Sequence, residues 1–394
     1  MALDDQRPND AEIGERLRIA REKAEFTQSD AASMIGVART TIVAIEKGQR
    51  RAKISELQIL ARAFNTSANF LLRKESVHID LSPQFRKFSS SSSEAVNAAG
   101  SLLNQLVSAE IELENALGAK RLSNYPPERP ILPGDVAVQA ESDAQELRNW
   151  LGLGLGPVVD LISLLELQMG IRVFLSPLDS KVSGLFSYDP IAGACILLNS
   201  NHPDERIVQS CVHELGHFIS TRSESEALLT DQSFQSRTER YATTFGRAFI
   251  TPSRAVRQMF ADLTSGQSHL TRRHIILLAN YFGVSREAMV KRLEELSLAK
   301  PGTWEWFDSN GGITRQQVEE VLGRSTNSRS IGARNTGPIP QRVALLAREA
   351  SKRDLYSEGQ LCQLLGVDLV SVRELLDGID DEVEGENEQI QIPR

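Results

Sequence analysis

Residues 204–220 read Asp-Glu-Arg-Ile-Val-Gln-Ser-Cys-Val-His-Glu-Leu-Gly-His-Phe-Ile-Ser. At about 100° per residue, Ile207, Val208, Cys211, Val212, Leu215, Phe218 and Ile219 fill one arc of a helix. His213 and His217 fall on the opposite side, with Glu214 at the border. An ordinary amphipathic helix turns that side to water. Here it carries two imidazoles four residues apart, on one face, where both reach a single divalent ion at about 2.0–2.1 Å. Glu214 lies beside such an ion, placed to take a proton from bound water. Cys211 belongs to the apolar arc and reads as a core thiol.

Two histidines leave a tetrahedral site incomplete, so a third protein ligand is needed, with water in the fourth position. Glu239 is the best candidate. It opens a predicted helix over 236–250 whose inward stripe continues at Ala242, Phe245 and Phe249. An unpartnered carboxylate on that stripe is costly. Glu224 and Glu226 follow His217 in a polar loop and need a much tighter return. Zn²⁺ fits the donor set, and Mn²⁺ or Fe²⁺ also suits two imidazoles and a carboxylate. His202, His269 and His274 read as surface histidines in a loop or at a helix edge. Gly152-x-Gly154-x-Gly156 lacks the strand and the Lys-Ser/Thr end of a phosphate loop.

Around this motif, residues 141–298 alternate helix and strand. Helices are predicted over 142–151, 157–169, 204–220, 236–250, 271–282 and 285–296. Short strands fit 171–175, 184–188 and 194–198. The result is an α+β domain with a small sheet. Residues 11–74 read instead as four short helices. Thr27 caps the second, Gly36-Val37 makes the turn to the third, and Lys47-Gly48 ends it. Leu17, Ala31, Ile35, Val37, Ile42 and Ile45 would pack between them. In such a helix-turn-helix the start of the third helix enters the major groove, so Arg39, Thr40 and Thr41 face base edges. Arg39 can donate two bonds to guanine, and the threonines offer hydroxyl and methyl contacts. Arg50 and Arg51 follow that helix and suit phosphate.

Between and beyond these domains lie a linker and helical connector over 75–140, a linker over 299–338, a C-terminal helical unit over 339–377 and an acidic tail over 378–394. The connector holds the serine run Ser89–Ser93 and a helix over 94–118 with Leu102, Leu106, Leu113 and Leu117 on one side. Gly36-Val37, Gly283-Val284 and Gly366-Val367 each fall between two short amphipathic helices, which fits three helix-turn-helix-like units and equally the common packing geometry of a Gly-Val turn between helices. The third copy has Asp368 and Glu374 where phosphate would be met, which argues against DNA there.

Composition bounds the rest. The chain has 394 residues, 44 Lys+Arg against 52 Asp+Glu, and 41% apolar residues, which excludes wholesale disorder and allows several domains. Residues 1–74 hold 13 basic and 10 acidic residues. The head is therefore mildly basic on an acidic body, and any nucleic-acid contact belongs to the head. A charge of only +3 there implies modest affinity per head, so a homodimer on a two-fold operator is expected. No apolar run approaches the roughly 18 residues of a membrane span. The N-terminus is polar, and three cysteines form no close pair. A cytoplasmic protein with no membrane partner is the expectation.

His213–His217, followed by Glu239-Arg240-Tyr241-Ala242-Thr243-Thr244-Phe245-Gly246-Arg247-Ala248-Phe249-Ile250-Thr251-Pro252, resembles the ImmA/IrrE family of zinc metallopeptidases. Leu151-Gly152, Gly156-Pro157, Leu165-Glu166 and Gly170–Phe174 are similar to that family's leading segment. Thr243 stands where the family usually has Asn or Asp, Gly246 replaces a usual Ala and Thr251 a usual Met. The head, Thr27-Gln28 through Gly36-Val37 to Ile45-Glu46-Lys47-Gly48, resembles the Xre/Cro helix-turn-helix family. That resemblance adds Gln28 as a residue touching DNA backbone or base. Together they imply a mainly α, multidomain regulator: an all-α helix-turn-helix domain, an α+β zincin-like metallopeptidase domain and a C-terminal helical unit. The resemblance also implies a zinc endopeptidase that cuts a specific protein, a partner repressor. The rival expectation is a DNA-binding regulator whose metal domain is a non-proteolytic sensor or dimer scaffold.

Overall fold

The computed structural model describes residues 9–64, 66, 71–72, 81, 93–119, 121–222, 226–229, 236–267, 269–323 and 339–377. Ser89–Ser92 of the serine run, Glu224, the Ser/Asn/Arg-rich stretch 324–338 and the acidic tail lie outside these. The chain divides into two compact units, one of residues 1–78, 108–120 and 341–394 and one of residues 79–107 and 121–340.

The first unit begins with α1 (Asp10–Lys23), α2 (Gln28–Met34), α3 (Arg39–Glu46) and α4 (Ile54–Ala63). Thr27 and Asp30 form a reciprocal capping box that fixes the start of α2. Leu17, Ala31, Ile42 and Ile45 are buried together with Leu57 and Leu60, while Ile35 and Val37 pack at the margin. Beneath them Arg21 Nε donates to Glu46 Oε1 at 2.6 Å, and Arg21 NH1 donates to the Phe26 carbonyl at 2.8 Å. A buried charge pair satisfied this fully ties α1 to the end of α3.

α5 (Ser93–Leu117) follows. Its buried seam runs through Val96, Leu103, Val107, Glu110, Leu113 and Glu114, whereas Leu102, Leu106 and Leu117 are half-buried. Of the four leucines picked out by spacing, Leu113 thus lies in the seam and the other three at its edge.

The second unit starts with α6 (Val136–Trp150), capped by Asp135 and one and a half turns longer than the predicted helix. The predicted helix 157–169 is α7 (Leu161–Leu164) running into a widened π turn, Leu165–Met169. β1 (Arg172–Ser176), β2 (Val182–Asp189) and β3 (Gly193–Asn199) follow, then α8 (Asp204–Ser220), β4 (Glu226–Leu229) and α9 (Arg237–Ile250). The sheet order is β1-β3-β2-β4, with β1 parallel to β3 and the other pairs antiparallel. β4 corrects the sequence reading, which left Glu226 in a polar loop. Its residues pair Leu185 with Ala227 and Phe186 with Glu226.

α9 packs against both α6 and α8. Val173, Phe186, Ile196, Leu215, Phe218 and Phe245 form the core between sheet and helices. Two glycines set the approach of α8 and α9. A Cβ on Gly216 would lie 2.7 Å from Ala242 Cα, and one on Gly246 would lie 2.9 Å from Val212 Cγ2. Arg148 is fully buried and donates to the carbonyls of Gly154, Gly156 and Phe249, so its burial, which lowers its pKa to about 10, is matched by hydrogen bonds. The Gly-x-Gly-x-Gly stretch thus serves this arginine.

α10 (Ser253–Thr264), α11 (Arg272–Phe282) and α12 (Arg286–Glu295) complete the unit with α13 (Thr303–Ser309) and α14 (Arg315–Leu322), two helices within the stretch read as linker. Phe307 anchors them by packing on Ile275 and Val290.

The first unit closes with α15 (Gln341–Lys352), α16 (Glu358–Leu365) and α17 (Leu369–Asp377). Arg342 pairs with Glu114 at 2.9 Å and Glu110 at 3.3 Å, and the Tyr356 hydroxyl donates to Glu112 at 2.7 Å. Gly36, Gly283 and Gly366, the three recurring turn residues, all have φ near +66° (+66, +65 and +68°). Each sits between helices in the conformation that glycine adopts without strain.

Candidate metal centre and nucleic-acid interface

His213 and His217 sit one turn apart on α8, and Ser236 fixes where α9 begins by accepting the Glu239 N–H at 3.1 Å. The close glycine contacts then bring Glu239 across to the histidines. His213 Nε2 and His217 Nε2 are 3.1 Å apart. Glu239 Oε2 lies 3.2 Å from the first, and Oε1 lies 3.5 Å from the second. Donors around a tetrahedral ion bonded at about 2.0–2.1 Å stand about 3.3 Å apart, so the separations of the two imidazoles and the carboxylate match those around one ion. All three residues are buried, and they form a possible metal-holding group among the described residues.

Two further observations fit a cation. Glu239 Oε2 is buried without a well-aligned hydrogen bond. Burial pushes Glu239's carboxyl up, but the facing imidazoles of His213 and His217 outweigh it and hold the group well below the carboxylate range, so it is an anion. The Thr243 hydroxyl lies 3.3 Å from His213 Nδ1. A hydrogen bond there fixes the tautomer that leaves Nε2 free to ligate. Threonine thus supplies the contact for which the family uses Asn or Asp. Gly246 also has its reason, since Val212 occupies the space that a Cβ would need.

Glu214 is fully buried, and its Oε1 lies 3.1 Å from where a Cβ on Gly184 would stand. Strand β2 therefore passes directly over this carboxylate. Sequence reasoning did not find Gly184, which sits 30 residues before Glu214 and meets it only through the sheet. It also missed Tyr241, whose hydroxyl donates to Asp143 at 2.8 Å and locks α9 to α6.

Cys211 is buried, and burial pushes its thiol well above the usual range, as expected for a core residue. Cys195 is buried too, and Cys362 is half-buried. His269 is exposed. His274 departs from the surface reading. It is buried in the capping box of α11, where Nδ1 accepts the Thr271 N–H at 3.2 Å. His202 is half-buried, and burial together with Arg206 lowers its pKa.

In the head, Arg39 and Thr40 are exposed at the start of α3, and Thr41 is half-buried. Arg39 NH2 donates to Gln28 Oε1 at 3.3 Å, and Gln28 Nε2 donates to Glu46 Oε2 at 2.9 Å. Arg50 forks Glu56 at 3.1 and 2.9 Å. Arg51 is 69% exposed, with Asp10 no closer than 3.9 Å.

A His-Glu-x-x-His helix over a small mixed sheet, with a carboxylate brought in from the next helix, defines a zincin-like metallopeptidase-type domain. Residues 167–294 match the peptidase family described as the IrrE N-terminal-like domain. Residues 17–71 match the helix-turn-helix family. The chain thus joins an Xre-like, DNA-binding helix-turn-helix of the kind used in transcription regulation to an ImmA/IrrE-type domain. No curated protein matches it significantly. Among the described residues no helix is long and apolar enough to cross a membrane.

Proposed function

We propose that this chain is a cytoplasmic transcriptional regulator whose second domain is a metal-dependent endopeptidase acting on a partner repressor. The observation that carries the reading is the ion-sized grouping of His213 Nε2, His217 Nε2 and the Glu239 carboxylate, with Glu214 buried next to it in sequence. His213, His217 and Glu239 would hold a divalent ion, Zn²⁺ by preference and Mn²⁺ or Fe²⁺ by the same donors, which would supply acidified water and a Lewis acid for the peptide carbonyl. Glu214 holds the attacking water's proton on its carboxylate and hands it to the leaving amine nitrogen. Thr243 keeps His213 Nδ1 engaged, so Nε2 stays a lone-pair donor.

On the DNA side, α3 enters the major groove, with Arg39, Thr40 and Thr41 toward the bases and Gln28 at the groove edge. Arg51 meets phosphate. Arg50 does so from a side chain already braced by Glu56. Two chains bind a two-fold operator as a homodimer.

The test is Glu214→Gln in the full chain. Metal content should stay at one ion per chain, while cleavage of the partner repressor falls by at least a thousandfold. His217→Ala should lose both. Equal cleavage by Glu214→Gln would overturn the role given to Glu214. A Glu214→Gln protein that does not cleave yet regulates like wild type, while an Arg39 variant fails, would make the metal domain a scaffold or sensor instead.

A further inference from the structure

A cavity of about 480 Å³ lies beside the triad, walled by α8, α9 and the first turn of α12. This is the size range of sites for small ligands or side chains. His213 and Thr243 line it, so an occupant lies against the candidate metal ligand. Val208, Val212, Ile250, Val284 and Ala288 make much of its wall apolar.

The remaining wall is mainly positive. Arg206 has no carboxylate within ion-pair distance among the described residues, and it donates only to Ser183 Oγ at 3.3 Å. Arg247 pairs through NH1 with Glu295, yet its Nε is buried and makes no hydrogen bond. Burial and the neighbouring Arg292 both disfavour Arg247's charge, a strain that an incoming anion relieves. Ser285 caps α12 and lines the cavity, which puts that helix's positive N-terminal end on the same wall. The carboxylate lining it, Glu205, belongs to an exposed residue.

We propose that this cavity is the subsite for a substrate side chain next to the scissile bond and that it selects glutamate. The proposal rests on the peptidase reading. An aliphatic stem covers the apolar wall, and the carboxylate reaches Arg206 in the field of the neighbouring Arg247. Glutamine has the same shape but brings no negative charge to the guanidinium groups. Lysine meets two guanidinium groups.

Four dipeptide hydroxamates that differ in one side chain (Glu, Gln, Lys or Gly) test this by calorimetric titration into the zinc-loaded full chain. The hydroxamate chelates the metal, and the side chain reports the cavity. The Glu ligand should bind at least tenfold more tightly than Gln, with Lys weakest. Arg206→Gln should bring the Glu/Gln ratio close to one, and Ala288→Trp, which fills the cavity, should do the same. Because the readout is a ratio, partial loss of folded protein does not imitate it. A wild-type ratio near one, or a ratio that survives Arg206→Gln, overturns the subsite and leaves the peptidase reading standing. If none of the four binds protein that holds zinc, the peptidase reading falls and takes the subsite with it.

Discussion

Gly246 and Val212 decide how closely Glu239's helix approaches the two histidines. Alanine at 246 gains about 1 kcal/mol of helix propensity. Its Cβ would nevertheless stand 2.9 Å from Val212 Cγ2, and overpacking of this kind costs about 1–3 kcal/mol. Gly246→Ala should therefore lower stability in urea and weaken metal binding, and adding Val212→Ala should restore only part of both, because the Val212 backbone still stands 3.1 Å from the new Cβ. A single variant as stable as wild type would contradict the packing argument. The same scale shows what a sequence can disclose. His213, Glu214 and His217 were legible because their spacing acts within one helix, and Glu239 because its stripe would otherwise strand a charge. Gly184 was not, since nothing local ties a strand residue to a carboxylate 30 positions later. Arg50 and Glu56 give a pH effect at this scale. The Arg50 hydrogen bond holds Glu56's carboxyl below its ordinary 4.5. A depressed folded-state pKa contributes stability that is present above that value and lost as pH falls through the lower one. Arg50→Gln should thus flatten the acid side of the head's melting curve below about pH 4.5. The loss at neutral pH should be under about 1 kcal/mol, because the pair is partly exposed.

Elements were read with uneven success, for physical reasons. α11 and α12 stood out because Thr271, Gly283 and Ser285 are start and stop residues whose effect is local. β4 did not, because four residues carry too little alternation to announce a strand whose partner lies some 40 residues earlier. In the helix-turn-helix, the chain Glu46–Gln28–Arg39 couples the core to the start of α3. Arg39→Ala should cost roughly 1–3 kcal/mol of discrimination at one base pair. Gln28→Ala should lose part of the same discrimination, because it frees Arg39 to sample other rotamers. Arg51→Ala should weaken all sequences alike and reduce the salt slope by about one. Binding isotherms on operator and random duplex at several salt concentrations separate the two behaviours. An Arg39→Ala protein with an unchanged operator-to-random ratio would rule out this docking.

Across the whole molecule, metal and DNA functions fall on different stretches of chain, and so should their thermal responses. A ligand that binds only the folded state stabilises by about 2.7 kcal/mol at a hundred times its Kd. Chelation should therefore lower the calorimetric transition of the metal-binding unit and leave that of the helix-turn-helix in place. His217→Ala should melt like chelated wild type and ignore the chelator. A uniform shift of every transition would show that the units unfold as one. The division of charge, with a mildly basic head on an acidic body, was legible from composition alone. The grouping of residues 341–377 with 108–120 was not, since it depends on Arg342 finding acidic partners more than 200 residues away.

Cys195 and Cys211 are sealed in the core, while Cys362 on α16 is half-buried. The folded chain thus presents one addressable thiol out of three. A maleimide dye should couple rapidly to one equivalent in native buffer and to three in denaturant. The unaltered protein therefore comes with its own attachment point for a fluorophore, spin label or surface tether, set on the C-terminal helices, away in sequence from both α3 and the histidines.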